Sequence, residues 1–291
     1  LKIEENKSSL AKETKKILQK NKIHLNNNLG QNYLIDEFKR NQIISFANLK
    51  NDDNILEIGP GIGTLTIELA KKVNKVTAIE QDTNIFKILK KRLKNENINN
   101  VELINEDALK VKFPDFNKIV SNLPYQISSP ITFKLLDYSF DLGILMYQKE
   151  FGERMVAKSG NRNYSRLSAM LYFKSLIEIL DNVSPESFIP KPKVESVILK
   201  LTPKKNINSK ISDEEFKNYE IVCKTLFQHK NKKCKNALID SRQILGYKDK
   251  KLLKSKLNEI DVNELFLKRA VNMSPEEILL LSKKLETVIK K

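Results

Sequence analysis

The 291 residues contain no tryptophan and only two cysteines and two histidines. Cys223 and Cys234 fit no metal-ligand spacing, so no metal site is expected and both read as free thiols of a reducing compartment. His24 and His229 stand in no Ser, Cys or Asp arrangement of the kind a catalytic triad needs, which turns the search away from histidine chemistry. No apolar run approaches the roughly 18 residues of a membrane-spanning helix. Residues 1–22 have neither an apolar core nor an arginine and match neither a secretory signal nor a mitochondrial presequence, so a cytoplasmic protein is expected. Glycine is scarce too, at eight, yet three of the eight fall at Gly59, Gly61 and Gly63.

Positive charge is what the chain has in excess. Lys and Arg number 52 against 36 Asp and Glu, a net charge of +16, in a chain that is 40% hydrophobic and 30% charged. That composition is globular, and the length suits a domain of ordinary size plus a smaller one. Residues 205–291 carry 20 basic and 12 acidic residues, half of the excess. Without hydrophobic anchors, such a surplus points to nucleic acid rather than membrane as the polyanionic partner. Part of the lysine also belongs to a composition rich in Lys, Ile and Asn throughout.

Residues 54–58 have a strand pattern that runs into Gly59-Pro60-Gly61-Ile62-Gly63 and then into helical spacing at Leu65, Leu69 and Val73. Strand, glycine loop and helix start together let the backbone approach a ligand closely. Thr64 stands where a dinucleotide-binding GxGxxG would have its third glycine, a shape suited to a cofactor without a pyrophosphate. The next strand, 75–79, ends at Glu80, about 20 residues after the first glycine, where an acid can take both hydroxyls of a ribose. A helix-capping acid is the competing reading. A third strand, 101–104, leads to Asp107, placed to accept from an adenine amine at the same sheet edge. Helical stretches such as 83–94 alternate with these strands, which calls for an α/β fold, a parallel sheet with helices on both faces.

The apolar run Ile119-Val120 ends in Asn122-Leu123-Pro124-Tyr125. In open α/β sheets the carboxyl edge of the strands is where ligands sit. The Asn122 side-chain oxygen and the Leu123 carbonyl are both acceptors and can take the two hydrogens of an exocyclic amine while Tyr125 stacks on its ring. Read alone, the tetrapeptide favours a simple turn, and the surrounding motifs are what shift the reading toward an amine pocket. Further on, Arg162 and Arg166 bracket a polar turn, and Phe188 precedes the rigid Pro190-Lys191-Pro192 loop as either a second stacking ring or a core residue. Residues 203–209 read as a polar linker, after which strand patterns cease. Three segments are expected. The first, at 1–22, is a flexible basic extension, a lysine-rich helix or a disordered tail in which Leu10, Ile17 and Leu18 are too sparse to bury much. An α/β domain at 23–203 and a helical domain at 204–291 follow. Within the last, residues 224–256 hold eleven basic and two acidic residues, Lys230, Lys232, Lys233 and Lys235 among them.

With these stretches in view, the sequence resembles the ribosomal RNA adenine N6-dimethyltransferase family, the KsgA type, over nearly its whole length after residue 22. The marks are Leu29-Gly30-Gln31-Asn32-Tyr33-Leu34, Glu57-Ile58-Gly59-Pro60-Gly61-Ile62-Gly63, Glu80 with Asp82, Asp107-Ala108, Asn122 to Tyr125, and Phe188 with Pro190 to Val194. Gln126 and Ser165 depart from the pattern, standing where the family often has Asn and Gly. The resemblance implies a Rossmann-like class I methyltransferase sheet with a small C-terminal helical domain. It implies S-adenosylmethionine as cofactor, bound at Gln31, Asn32, Leu34, Gly59, Gly61, Gly63, Glu80, Asp107, Ala108 and Asn122, with no metal. The target base would lie between Tyr125 and Phe188, the catalytic set being Asn122, Leu123, Pro124, Tyr125 and Phe188. The substrate would be two adjacent adenosines near the 3′ end of small-subunit rRNA, or the particle containing it, gripped by Lys230, Lys232, Lys233, Lys235, Arg162 and Arg166 of a monomer. A DNA adenine methyltransferase, a nicotinamide-dependent dehydrogenase and a non-catalytic ribosome-assembly protein are the rivals. The imperfect GxGxxG and the absence of a hydride-site acid or base weigh against the dehydrogenase, and the intact Glu80, Asp107 and Asn122 set weighs against the assembly protein.

Overall fold

Strands that are apolar at nearly every position must be covered on both sides, and here they form the centre of a seven-stranded sheet. The computed structural model describes residues 2–21, 23, 32–204 and 211–289. The chain divides into two compact units, Leu1–Gly152 with Ile177–Pro203, and Glu153–Leu176 with Lys204–Lys291. A single boundary at 203/204 is therefore only half of the division. Residues 153–176 leave the α/β unit because their helix buries Leu167 to Leu171 among the helices of the second one, where the Tyr219 hydroxyl donates to the Ala169 carbonyl at 2.8 Å. The linker expected at 203–209 lies largely outside the described residues.

In the first unit the sheet contains β2 (Asn54–Ile58), β3 (Lys75–Ile79), β4 (Val101–Ile104), β5 (Lys118–Asn122), β6 (Leu142–Gln148), β7 (Ser175–Val183) and β9 (Ser196–Pro203). Their spatial order is β4-β3-β2-β5-β6-β9-β7. Strands β4 to β6 of that row run parallel, and β9 runs antiparallel to β6. The chain moves outward from β2 to β4, then returns to lay β5 on the other side of β2. The topological switch point thus falls between β2 and β5, where a crevice opens at the carboxyl ends of the two strands. Both sequence motifs, the glycine loop and Asn122 to Tyr125, leave the sheet at that crevice.

Helix α2 (Glu37–Phe46) and α3 (Thr66–Ala70) cover one face, with Ile43, Ile44, Leu69 and Ala70 packed on Ile55, Val76, Val120 and Ile144. The alternate residues face the other way: Tyr147 meets α5 (Ser128–Leu135) through its hydroxyl, 2.7 Å from that of Thr132. At the far end of the sheet the buried pair Lys118–Asp53, 2.7 Å apart, fixes the start of β5 beside β2. Asn117 also donates to Asp53 at 2.7 Å, so the carboxylate is partnered on both oxygens. The doubly wound sheet expected from the sequence is the one that forms.

Two local results differ from expectation. Of the helix or disordered tail expected at the start of the chain, helix α1 (Lys2–Lys20) is what forms, and the stripe expected to bury little is buried, Leu10, Thr14 and Leu18 recurring every four residues. Leu18 packs with Tyr33, Ile62 and Ile85, so a stripe one residue wide suffices because its partners are themselves large. The second is a two-stranded ribbon pairing β1 (Tyr33–Leu34) with β8 (Phe188–Ile189), Tyr33 opposite Ile189 and Leu34 opposite Phe188. Each strand is two residues long, too short to carry a readable period.

Helix α6 (Lys149–Val156) follows β6 directly, and the chain passes from the first unit to the second within it. The second unit is helical: α7 (Arg166–Lys174), α8 (Asp213–Phe227), α9 (Cys234–Asp240), α10 (Lys250–Asn258), α11 (Asn263–Leu267) and α12 (Pro275–Lys284). Ser212 with Glu215 and Ser274 with Glu277 form reciprocal capping boxes that start α8 and α12. Cys223 and Cys234 are free and buried in this core, and burial pushes both thiols up to about 12. Among the described residues no helix is long and apolar enough to cross a membrane.

Candidate active site

A cavity of about 400 Å³ opens at the switch point, within the range of small-ligand sites. Its wall includes Asn32, Leu34, Gly59, Gly61, Glu80, Asp107, Ala108, Asn122, Leu123, Pro124 and Tyr125. Residues far apart in sequence meet here because successive parallel strands end at one edge. Gln31, with Leu29 and Gly30, lies outside the described residues.

Gly59 and Gly61 have φ of +68° and +56°, and a Cβ at Gly61 would come within 3.1 Å of the Tyr33 ring. The close approach matters because the Gly61 amide donates to one Glu80 oxygen at 3.2 Å while the Asp82 amide donates to the other at 2.9 Å. Each carboxylate oxygen is thus aimed by one backbone N–H and keeps a lone pair for a further donor. Burial raises the Glu80 carboxyl above its usual range, and the backbone amides of Asp82, Gly61 and Gln81 oppose the shift. Asp82 in turn caps α4 (Thr83–Asn95), accepting from the Asn84 and Ile85 amides. The cap expected as the bland role for Glu80 is performed by its neighbour.

Gly63 is a correction to the cofactor set. It does not line the cavity; at φ +92°, a Cβ there would meet the Leu89 side chain at 2.5 Å, so this glycine allows the loop to pass against α4. Asp107 accepts from the Leu109 amide through Oδ1 at 2.9 Å, which orients the carboxylate at the cavity wall. Asn122 donates through Nδ2 to the Asn32 carbonyl at 3.1 Å. That bond fixes which way the amide faces, and Oδ1 becomes the atom available as acceptor. Leu123 is buried, and its carbonyl lies just past the end of β5 ahead of Pro124, which has no N–H to extend the ladder. Tyr125 begins a short 3₁₀ turn, and its hydroxyl is 2.6 Å from that of Ser196 at the start of β9, which holds the ring in place.

Phe188 is not brought to this cavity. It is 2% exposed and packs in the sheet core beside Leu34, Ile43 and Val183, opposite Leu34 in the ribbon. Of its two readings from sequence, the core residue is the one the structure contains. Arg162 and Arg166 are both exposed and belong to the helical unit. Lys230 reaches the Arg162 carbonyl at 3.3 Å, so the arginine turn and the lysine segment meet within that unit. Lys232 pairs with Asp240 at 2.7 Å, and Lys235 bonds Asn258 at 2.7 Å with its ammonium 5.3 Å from the Phe266 ring centre. Lys233 caps α9 and is exposed.

Two buried polar groups on the cavity wall drew no role from the sequence. The Tyr33 hydroxyl and Glu57 Oε2 have no hydrogen-bond partner. Burial, with the charge of Glu80 adding to it, pushes the Glu57 carboxyl up to about 8. The signal for Glu57 was its place as the last inward residue before the glycine loop, on a strand otherwise apolar. Oriented acceptors at Glu80 and Asp107, a glycine cradle and unpaired polar atoms fit a nucleoside-bearing ligand that carries positive charge, as S-adenosylmethionine does. The residues present therefore suit the cofactor that the resemblance implies.

Comparison with known proteins agrees with this geometry. The family model described as ribosomal RNA adenine dimethylase matches residues 22–273. A probable ribosomal RNA small subunit methyltransferase A of Methanosphaera stadtmanae is 50% identical over 273 residues, covering 94% of this chain and 98% of that protein. Its counterpart from Methanothermobacter thermautotrophicus is 47% identical over 283 residues, covering 96% and 97%. Among solved structures, a dimethyladenosine transferase from Plasmodium falciparum superposes with a TM-score of 0.75 at 32% identity, covering 88% of this chain and 98% of that one. The 23S rRNA methyltransferase ErmE gives 0.64 at 26% identity, covering 88% and 100%. The sheet is thus a Rossmann-like class I methyltransferase sheet, and by sequence, topology and site this chain belongs to the ribosomal RNA adenine dimethylase family.

Proposed function

We propose that this chain transfers methyl groups from S-adenosylmethionine to the N6 amines of two adjacent adenosines near the 3′ end of small-subunit rRNA. The observation that carries the reading is the Asn122 amide, turned by Asn32 so that its oxygen is offered at the cavity beside Leu123 and Tyr125. The cofactor supplies an electrophilic methyl on a sulfonium, with a neutral thioether as the leaving group. Glu80 accepts from the ribose diol, and Asp107 from the adenine amine, fixing where that methyl is presented.

An adenine amino nitrogen is a poor nucleophile because its lone pair is delocalised into the ring. Acceptors at Asn122 Oδ1 and the Leu123 carbonyl, one for each hydrogen, favour the pyramidal form in which the lone pair is localised on nitrogen. Tyr125, steadied by Ser196, supplies a flat wall against which a flipped base can stack. No side chain beside Asn122 serves as a strong base, so the rate comes from positioning and electrostatics and the proton leaves after the methyl arrives. Once one methyl is in place a hydrogen remains for one of the two acceptors, which permits a second transfer. A soluble rRNA-directed enzyme acting during small-subunit biogenesis is the corresponding cellular role.

Replacing Asn122 with Ala tests the proposal. Methyl transfer to unmodified small subunits should fall by roughly a hundredfold or more, while RNA affinity changes little. A variant that methylates at nearly the parental rate would return Asn122 to the role of a turn residue.

A further inference from the structure

Helix α1 and helix α4 meet in the α/β unit: Ile17 and Leu18 of the first and Ile85 and Ile88 of the second belong to one apolar cluster, and Glu13 of the first pairs with Arg92 of the second. On α1, Lys12, Lys16 and Lys20 repeat every four residues on the solvent side; on α4, Lys87, Lys91 and Lys94 follow the same helical spacing, four and then three. All six are exposed, and none forms an ion pair among the described residues. The acids that could have balanced them are committed elsewhere. Glu13 and Glu96 both go to Arg92, at 2.5 and 3.3 Å, and Arg92 also donates to the Ile62 carbonyl of the glycine loop at 2.7 Å.

Lysine abundance alone does not account for this arrangement. In the same unit Lys39, Lys71, Lys75, Lys118 and Lys200 each have an acidic partner within 4.0 Å, while Lys50, Lys72, Lys112 and Lys193 are exposed singly without an ion pair among the described residues. The ridge differs in that six unpaired lysines repeat at helical spacing on two helices that share an apolar cluster. On the α1–α4 ridge the partners are withheld, so like charges face solvent on two helices tied together by the Glu13–Arg92 ion pair. Each stripe is about 10–12 Å long at 1.5 Å per residue. An uncompensated basic surface of that extent costs self-repulsion in the isolated protein and is relieved by a polyanion. It adjoins the catalytic crevice, because Asp82 and Ile85 at the start of α4 line the cavity.

We propose that the α1–α4 ridge is a docking surface for the phosphate backbone of the rRNA substrate, carried by the catalytic unit itself. The inference rests on the function proposed above and adds to it a surface outside the helical unit. Arg92 is the keystone: by taking both acids and the loop carbonyl it frees the lysines and couples the ridge to the cofactor loop.

The test uses the full chain with Lys12, Lys16, Lys20, Lys87, Lys91 and Lys94 changed to Gln, beside a second variant in which the same six are Arg. Binding to unmodified small ribosomal subunits and to protein-free small-subunit rRNA is measured across salt concentrations, with S-adenosylhomocysteine titrations confirming an intact cofactor site. The Gln variant should bind both RNA forms at least tenfold more weakly at low salt. Its plot of log K against log salt should be shallower by about 2–5, for three to six phosphates at 0.7–0.9 each. The Arg variant should bind as the parent does. A Gln variant with parental affinity and slope overturns the proposal. So does weakened binding to subunits but not to protein-free rRNA, which would mark an acidic protein as the partner. A parent that binds the cofactor product but neither RNA form would instead fail the functional reading beneath it.

Discussion

Glu57 offers a measurement of the site that needs neither substrate nor cofactor. Its carboxyl is 2% exposed and held up to about 8, against about 4.3 for a free glutamate. Between those values the folded chain holds a proton that the unfolded chain releases, so stability falls as pH rises. The contribution is fully present below the unfolded value and is lost once the pH passes the folded one. Within the window stability falls steadily with pH, by roughly 3 kcal/mol between about pH 5.5 and 7.5. Glu57→Gln keeps the shape and cannot ionise, so it removes this slope while leaving other titrating groups in place. Urea unfolding of parent and variant, followed by circular dichroism at several pH values, should give curves that diverge by about that amount, the variant gaining as pH rises. Parallel pH profiles would mean that Glu57 is already ionised in the folded protein and that water or an internal partner reaches it.

Other consequences are equally direct. Glu80→Ala removes a charged acceptor and should weaken S-adenosylmethionine binding by about 1.5–3 kcal/mol, with the fold intact by circular dichroism; unchanged calorimetric affinity would remove the ribose assignment. Gly63→Ala should lower thermal stability, by about 1–3 kcal/mol, through both the positive φ and the clash with Leu89; a neutral result would show that α4 can shift to make room. In the helical unit, changing Lys230, Lys232 and Lys233 to Gln should flatten the salt dependence of small-subunit binding by about 0.7–0.9 for each phosphate left without its lysine. Because Lys232 is paired with Asp240, its single substitution should change the slope less than that of Lys233.

The residues legible in the sequence share one property: their meaning depends on neighbours in their own strand or turn. Glu80, Asp107 and Asn122 each follow or end a strand, and in a doubly wound sheet the strand ends converge, so type and position together identified the cavity wall. Residues whose role depends on distant partners were not legible. Gly63 looked like a third ligand-facing glycine, yet its neighbour is Leu89, in the middle of α4. Phe188 read equally as a stacking ring or as core, and pairing with a two-residue strand at Leu34 decided it. Ser196 carried no local signal of its bond to Tyr125. In α1 the apolar stripe was visible but looked too thin, since the bulk of Tyr33, Ile62 and Ile85 beneath it comes from three other segments.

The order of the sheet has a consequence for biosynthesis. Strand β6 reads Leu-Gly-Ile-Leu-Met-Tyr-Gln, and its outer neighbour β9 is complete only at Pro203, after residues 153–176 have been diverted to the other unit. The ribbon that braces the cofactor crevice likewise waits for Phe188, roughly 150 residues after its partner Leu34. At a translation rate of about 5–20 residues per second, Leu34 emerges some 8–30 s before its partner exists. During the last part of that interval the growing chain displays an apolar strand with one open hydrogen-bonding edge, the feature most prone to pair with another chain. The nascent chain therefore carries an open β6 edge from the time residues 142–148 leave the ribosome until β9 follows.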